Sequence, residues 1–392
     1  RKIVNMNGVK PIFLVSSLMA MGALSIDTIL PALSMIKSHY NVVSHHGHWT
    51  ITTVFLGISA GQLVFGPISD SIGRKRTTII GLIIFGLGNL ISILGTDYYL
   101  FLLCRFFQGV GAGATVVVSR AIARDLYSGN ELAKLMSLVS TIFILVPVLA
   151  PSIGQLIITT LSWQFIPIII LILCLLLGSW ILMFHIETNR QKRRLNFQGI
   201  INGIMEVFKS KISRSYTIAA GLTFGVLMSF LNISQPLFQE HLSVGPYFSL
   251  YFGAGALSVG FGSIINARLV TKVNPAKIVK VSMQFSLIWA VISLIFLLIG
   301  KTANIYTVMS ILLPNFFVFG TIFGNMNAMA ISPMGHIAGT ASAVIGTSTT
   351  LIALPLASLI GFLFSGSLLP FILLIIVTTS FNLLITKRLL NS

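Results

Sequence analysis

Only eight acidic residues occur in the 392-residue chain, so each can be placed by its surroundings. Asp97 lies in a short polar break, Glu131, Glu187 and Glu206 lie in polar stretches, and Glu240 ends an apolar run. Asp70 and Asp125 close two further apolar runs, and Asp27 alone stands well inside one. A carboxylate at such a depth in hydrocarbon costs about 2.5–3.5 kcal/mol on insertion scales, so it faces the protein interior and is there to act. The chemistry open to it is proton exchange, with uptake on one side of a membrane and release on the other. Arg105 is its candidate partner. At about 1.5 Å per residue, Asp27 rises roughly 22 Å from one face and Arg105 descends roughly 10 Å from the other. In a hydrocarbon core of about 30 Å these depths nearly coincide.

Other chemistries have less to work with. No Ser/His/Asp or zinc-hydrolase constellation and no nucleotide-binding loop is present, so neither an enzyme nor an ATP-driven pump is expected. His39, His45, His46 and His48 cluster without a carboxylate or Cys, which reads as a solvated loop rather than a metal site. Cys104 and Cys174 lie in apolar runs and offer no disulfide framework or zinc spacing. Residues Arg1 to Lys10 lack the pattern of a cleavable signal peptide.

The elements that must position Asp27 and Arg105 follow from composition. Hydrophobic residues make up 55% and charged residues 8%, where a soluble chain carries about a quarter charged. Twelve apolar segments lie near 12–36, 49–70, 77–95, 98–122, 131–159, 164–185, 216–239, 247–268, 278–299, 304–330, 340–364 and 369–386. Most reach the roughly 20 residues that span a bilayer, and without water each must be helical. The expected fold is an all-α membrane protein of twelve transmembrane helices in two six-helix bundles. With both termini in the cytoplasm, 21 of the 25 Lys and Arg fall on that side, Lys37 and Lys301 lie outside, and Arg105 and Arg120 lie within a span. The net charge of +17 is therefore a topology signal and implies no nucleic-acid partner.

The longest polar stretch divides the chain into residues 1–186, a cytoplasmic linker at 187–215, and residues 216–392. Within the linker, Leu195 to Ile212 carries apolar residues at helical spacing, which suits either a short interfacial helix or a flexible connection. The halves repeat, which makes the bundles pseudo-symmetric. Asp27-x-x-x-Pro31 recurs as Asn232-x-x-x-Pro236, and Gly57, Ala60 and Gly66 recur as Gly253, Ala256 and Gly262. Repeated halves in a transporter place the substrate between them, near the midplane.

The loop Gly66-Pro-Ile-Ser-Asp70-Ser-Ile-Gly73-Arg74-Lys75-Arg76 resembles the signature loop of the major facilitator superfamily, with Ser71 in place of the usual basic residue. Arg105-Phe-Phe-Gln108-Gly109-Val-Gly111 resembles that family's fourth-span motif. Ala150-Pro151-Ser152-Ile153-Gly154 is similar to its antiporter motif, with Pro147 one turn earlier and with Ala150 and Gln155 replacing two glycines. Asp27-Thr-Ile-Leu-Pro31-Ala-Leu, Arg120-Ala-Ile-Ala-Arg124-Asp125-Leu-Tyr127 and Gly335-His336-Ile-Ala-Gly339-Thr340-Ala341 resemble the bicyclomycin-resistance type of drug:proton antiporter.

That resemblance implies a proton-coupled transporter of the bacterial inner membrane, without a cofactor, exporting small amphipathic compounds as its halves rock. It implies Asp27 and Arg105 in proton coupling. Asp70, Arg74 and Asp125 would form an inner gate locking span 2 to spans 4 and 11, and Pro147, Pro151 and Gly154 the antiporter motif. Polar and aromatic residues within spans are candidates for the cavity, chiefly Gln108, Asn232, Gln235, Asn315 and Phe316. The expected partners are a small-molecule substrate and the lipid bilayer, with the chain a monomer. Open alternatives are a siderophore or metabolite carrier of the same fold and a non-transporting receptor or assembly protein.

Overall fold

The computed structural model describes residues 11–42, 46–95, 97–127, 129–184, 187–189, 197–299 and 304–390. His45, Arg1, Lys2, Lys10, Arg190, Lys192, Arg193, Arg194 and Lys301, and the 186 end of the first expected domain, lie outside them. Every regular element among the described residues is helical. Eleven of the helical stretches are long and apolar enough to cross a membrane. The expected fifth segment, 131–159, falls in the helix Gly129–Thr160.

Proline decides where the first span breaks. Helix α1 (Pro11–Asp27) stops at the very acid singled out above, a 3-10 turn covers Leu30–Ala32, and α2 (Leu33–His39) resumes. Pro31 has no N–H to give the carbonyl of Asp27 four residues earlier, and its ring crowds that carbonyl. The equivalent break follows α9 (Lys211–Gln235), where Pro236 opens a π-helical turn over Pro236–His241. The two Pro-centred motifs thus interrupt corresponding spans, and irregular backbone at membrane depth is tolerated only inside protein.

The remaining helices are α3 (Trp49–Ile72), α4 (Arg74–Leu94), α5 (Tyr98–Leu126), α6 (Gly129–Thr160), α7 (Phe165–Phe184), α8 (Phe197–Lys209), α10 (Phe248–Leu269), α11 (Pro275–Leu298), α12 (Ile305–Ile331), α13 (Ala338–Leu363) and α14 (Leu369–Leu390). Gly73 joins α3 to α4 at φ 109°, a conformation that only glycine adopts without strain. Asp97 caps α5, its carboxylate accepting from the Leu100 N–H. Within the expected linker, α8 covers Phe197–Lys209 and α9 begins at Lys211; Leu195 lies outside the described residues.

Helix α5 packs on α1, α3 and α4, while α9 packs on α12, α13 and α14. One apolar core draws only on residues from Leu14 to Ile181 and another only on Val207 to Ile345. A third joins the two sets through Ile26, Leu30 and Ile51 against Phe230, Phe238 and Ile360. The most extensive contacts between the sets are α3 on α13 and α6 on α10. Large apolar side chains such as Leu94, Leu175, Met183 and Leu298 are exposed. A soluble monomer does not show apolar surface on this scale, and a bilayer would cover it.

The glycine repeat does not survive as read. Gly57 closes on the Phe106 carbonyl and Gly109 of α5, whereas Gly253 faces Val148 of α6. Gly262 closes on the Phe317 carbonyl and Gly320 as Gly57 does on the Phe106 carbonyl and Gly109, so its counterpart is Gly57, not Gly66. A short glycine spacing recurs every turn of such helices, and only the neighbour reveals the register.

Candidate functional site

Asp27 is buried at the broken end of α1. Its carboxylate makes no hydrogen bond or ion pair among the described residues, which leaves it free to gain and lose a proton. Gly154 of α6 presses on the turn just beyond it. A Cβ there would collide with the Thr28 carbonyl and come within 3.0 Å of Pro31 Cγ. The small residue of the Pro151-x-x-Gly154 segment therefore lets α6 seat against the break. Pro147 and Pro151 sit inside α6, and each removes a backbone bond that would stiffen the helix.

Arg105 is 2% exposed, deep in α5. Its guanidinium does not pair with Asp27. Nη1 donates to Gln108 Oε1 at 2.6 Å and to Ser25 Oγ at 3.1 Å. Nη2 donates to the Ser25 carbonyl at 3.2 Å, and Nε to the Thr50 carbonyl at 3.2 Å. The Ser25 carbonyl belongs to the last turn of α1, where carbonyls lose their helical partner. Arg105 thus caps the broken helix with positive charge at its negative end. The network continues from Gln108 Nε2 to Ser92 Oγ at 3.5 Å, tying α1, α3, α4 and α5 together. Arg105 and Asp27 are brought to the same turn of α1, with the arginine anchored by neutral oxygens and the acid left unpaired.

A second cluster lies at the α3–α4 junction. Arg74, first residue of α4, donates from Nη1 to Asp70 Oδ1 at 2.6 Å and to Ser69 Oγ at 2.7 Å, and from Nε to Asp125 Oδ2 at 2.9 Å. It therefore locks α3 to α5. Glu187 was not anticipated here. Its Oε1 accepts from the Arg74 N–H at 2.8 Å and its Oε2 from the Lys75 N–H at 3.2 Å. A carboxylate on the first N–H groups of α4 satisfies orphan donors and meets the positive helix end. Thr188 Oγ1 donates to Asp125 Oδ2 at 3.2 Å, and Asn189 Nδ2 to the Asp70 carbonyl at 3.0 Å. Residues 187–189 thus strap α3, α4 and α5. No ion pair among the described residues joins this cluster to α13, the eleventh expected span. The lone sequence signal for Glu187 was an acid following the sixth apolar run.

The remaining candidates fall in different places. Asn232 and Gln235 line a cavity of about 310 Å³ between α2, the start of α3, the end of α9 and the end of α13. Asn232 Nδ2 donates to Thr52 Oγ1 at 3.3 Å and to the Ala357 carbonyl at 2.9 Å, bridging α3 and α13. Gln235 Nε2 donates to Gln239, which reaches Gln155 of α6. Gln108 is engaged with Arg105. Asn315 instead ties helices together, accepting from Ser286 Oγ at 2.7 Å and donating to its own Ile311 carbonyl. Phe316 packs edge-on against Phe230 with ring centroids 4.7 Å apart. His48 is buried beside the cavity rather than solvated, and His39 packs edge-on against Trp163.

Membrane-length helices, a proline-broken span carrying a lone buried acid and an arginine cap beside it define a polytopic membrane protein with a polar centre. The Major Facilitator Superfamily model matches residues 13–358, and the chain belongs to that family of membrane transporters. It is 29% identical over 328 residues to the "Bicyclomycin resistance protein homolog" of Haemophilus influenzae, covering 82% of this chain and 81% of that one. It is 27% identical over 326 residues to the "Multidrug resistance protein MdtL" of a Shewanella species, again over 82% and 81%. The fold is shared with a bacterial homolog of the human lysosomal transporter Spinster, at TM-score 0.75, 12% identity and coverage of 98% and 99%.

Proposed function

We propose that this transporter exports small amphipathic compounds, drugs among them, across the bacterial inner membrane in exchange for protons. The observation that carries the proton step is Asp27, a buried, unpaired carboxylate at a break in a span. The relatives named for bicyclomycin and multidrug resistance support the direction and the substrate class. In this reading α6 supplies the twelfth span, residues 1–186 and 216–392 form two six-helix bundles joined by 187–215, and both termini are cytoplasmic. The protein works as a monomer in the bilayer.

The cycle follows from the geometry. Arg105 holds the end of α1 in place, so that a rocking of the halves changes what surrounds Asp27. A carboxylate exposed to the acidic outer side takes a proton, and one turned inward loses it. Substrate meets the polar residues between the halves while Asp27 is in the opposite state. The Arg74 cluster, with its strap at Glu187, holds the cytoplasmic ends of α3, α4 and α5 as one body during that motion.

The test is export of bicyclomycin and ethidium by cells and by everted membrane vesicles carrying the parent or Asp27→Asn. The substitution should abolish proton-driven export and leave downhill substrate exchange measurable. Uphill export at the parent rate by Asp27→Asn would remove the assignment.

A further inference from the structure

Two charged groups that the transport reading leaves unused lie at the face opposite the Arg74 cluster. There Lys37 Nζ, at the end of α2, donates to Glu240 Oε1 in the π-helical turn at 2.6 Å. The residues are 203 apart in sequence, close to the offset of 205 between Asp27 and Asn232. Nearly equivalent positions of the two repeats thus carry opposite charges that meet across the interface. Among the described residues this is the one ion pair that joins the two halves. Arg74, Asp70 and Asp125 all belong to the first half.

The lysine end of the pair is sheltered and the acid end is open to water. The Lys37 side chain is 14% exposed and that of Glu240 41%. Gly47 leaves room for the lysine stem, since a Cβ at that position would come within 2.6 Å of Lys37 Cδ. Lys37 and Glu240 border the cavity of about 310 Å³ that Asn232 and Gln235 also line. At about 30 Å³ for a water's share of liquid volume, it holds roughly ten waters or a small organic molecule. Its walls belong to both halves, so separating the outer ends of the halves opens the cavity and must break the pair.

We propose that the Lys37–Glu240 ion pair is the outer latch of the transporter, and that the cavity beneath it is the chamber through which substrate leaves. The latch favours the state in which the outer ends are closed. Breaking it shifts the population toward the outward-open state, as any contact made in only one of two states must. This inference rests on the transport reading and its orientation.

Charge reversal tests it. Leu33, buried at the cavity wall, is replaced by Cys as a reporter in the full chain, the native Cys104 and Cys174 being buried. The readout is the rate of labelling by a membrane-impermeant maleimide from outside intact cells. Lys37→Glu and Glu240→Lys should each raise the rate about fivefold or more, the lower end of common coupling between sites. The double reversal should return it toward the parent rate, and Lys37→Arg should leave it unchanged. Single reversals that label at the parent rate, or a double reversal as fast as the singles, would overturn the latch. The labelling cycle reads closure whether or not substrate moves, so a failed latch leaves the parent's drug export intact. A failed export reading, conversely, leaves the charge rescue to stand or fall by itself.

Discussion

Replacing Arg105 by Lys keeps the charge in place and removes the planar fork. The structure says what that costs. Arg105 serves four acceptors: Gln108 Oε1, Ser25 Oγ, the Ser25 carbonyl and the Thr50 carbonyl. A single ammonium on a shorter stem can keep Gln108, one turn along its own helix, and Ser25 Oγ. It gives up the two carbonyls. The Ser25 carbonyl then sits buried and without a partner, at about 1–3 kcal/mol, and the lost bond to Thr50 adds about 1 kcal/mol. A loss of roughly 2–4 kcal/mol corresponds to roughly 30- to 700-fold in the population of the assembled site. The end of α1 would loosen and carry Asp27 with it. The assay is ethidium export by everted vesicles alongside thermal unfolding of the purified protein in detergent. Arg105→Lys should export poorly and melt earlier, and Arg105→Gln, which removes the charge as well, should do worse on both. If Arg105→Lys exports and melts like the parent, the arginine does not hold the helix break, and the capping argument is wrong.

Four other outcomes follow from distances already given. Gly154→Ala should slow export sharply, because its Cβ meets the Thr28 backbone, whereas Gly253→Ala meets Val148 at no closer than 3.6 Å and should be tolerated; equal export by the two refutes the packing of α6 on the break. Asp125→Asn should damage the Arg74 cluster more than Asp70→Asn, since their side chains are 22% and 53% exposed and water screens the more open pair to about 0–1 kcal/mol; cysteine accessibility at the Asp70 end of α3 and the Asp125 end of α5 decides the order. Glu187→Ala should loosen the first turn of α4, measurable as faster hydrogen exchange at Arg74 and Lys75, with Glu187→Gln restoring part of the protection through its amide oxygen. Asn315→Ala should lower thermal stability without changing which drugs are exported, because its partners are Ser286 and its own helix; a changed drug profile would place it at the substrate after all.

Whatever a local rule dictates is legible in the residues themselves. Hydrocarbon forces each apolar run into a helix, so nearly every segment was legible from length and composition. Pro31 and Pro236 mark candidate breaks because proline removes a backbone bond wherever it falls, but Pro147 and Pro151 lie inside the continuous α6, so packing decided which prolines break a span. Asp70 and Arg74 face each other across Gly73 four residues apart, a contact that spacing alone permits. The partners that come from elsewhere were decided by packing. Arg105 and Asp27 agree in depth, but depth leaves rotation about each helix open, and the fold turns the guanidinium to Ser25, Gln108 and Thr50. Asn315 and Phe316 lie in a span like Asn232 and Gln235, yet face their own half, because a helix presents all its sides at one depth. Glu187 and Glu240 read alike as acids at the ends of apolar runs. Only the tertiary arrangement brings one onto the start of α4 and the other onto Lys37, since a charge finds its partner through the closure of the chain and not through its neighbours in sequence.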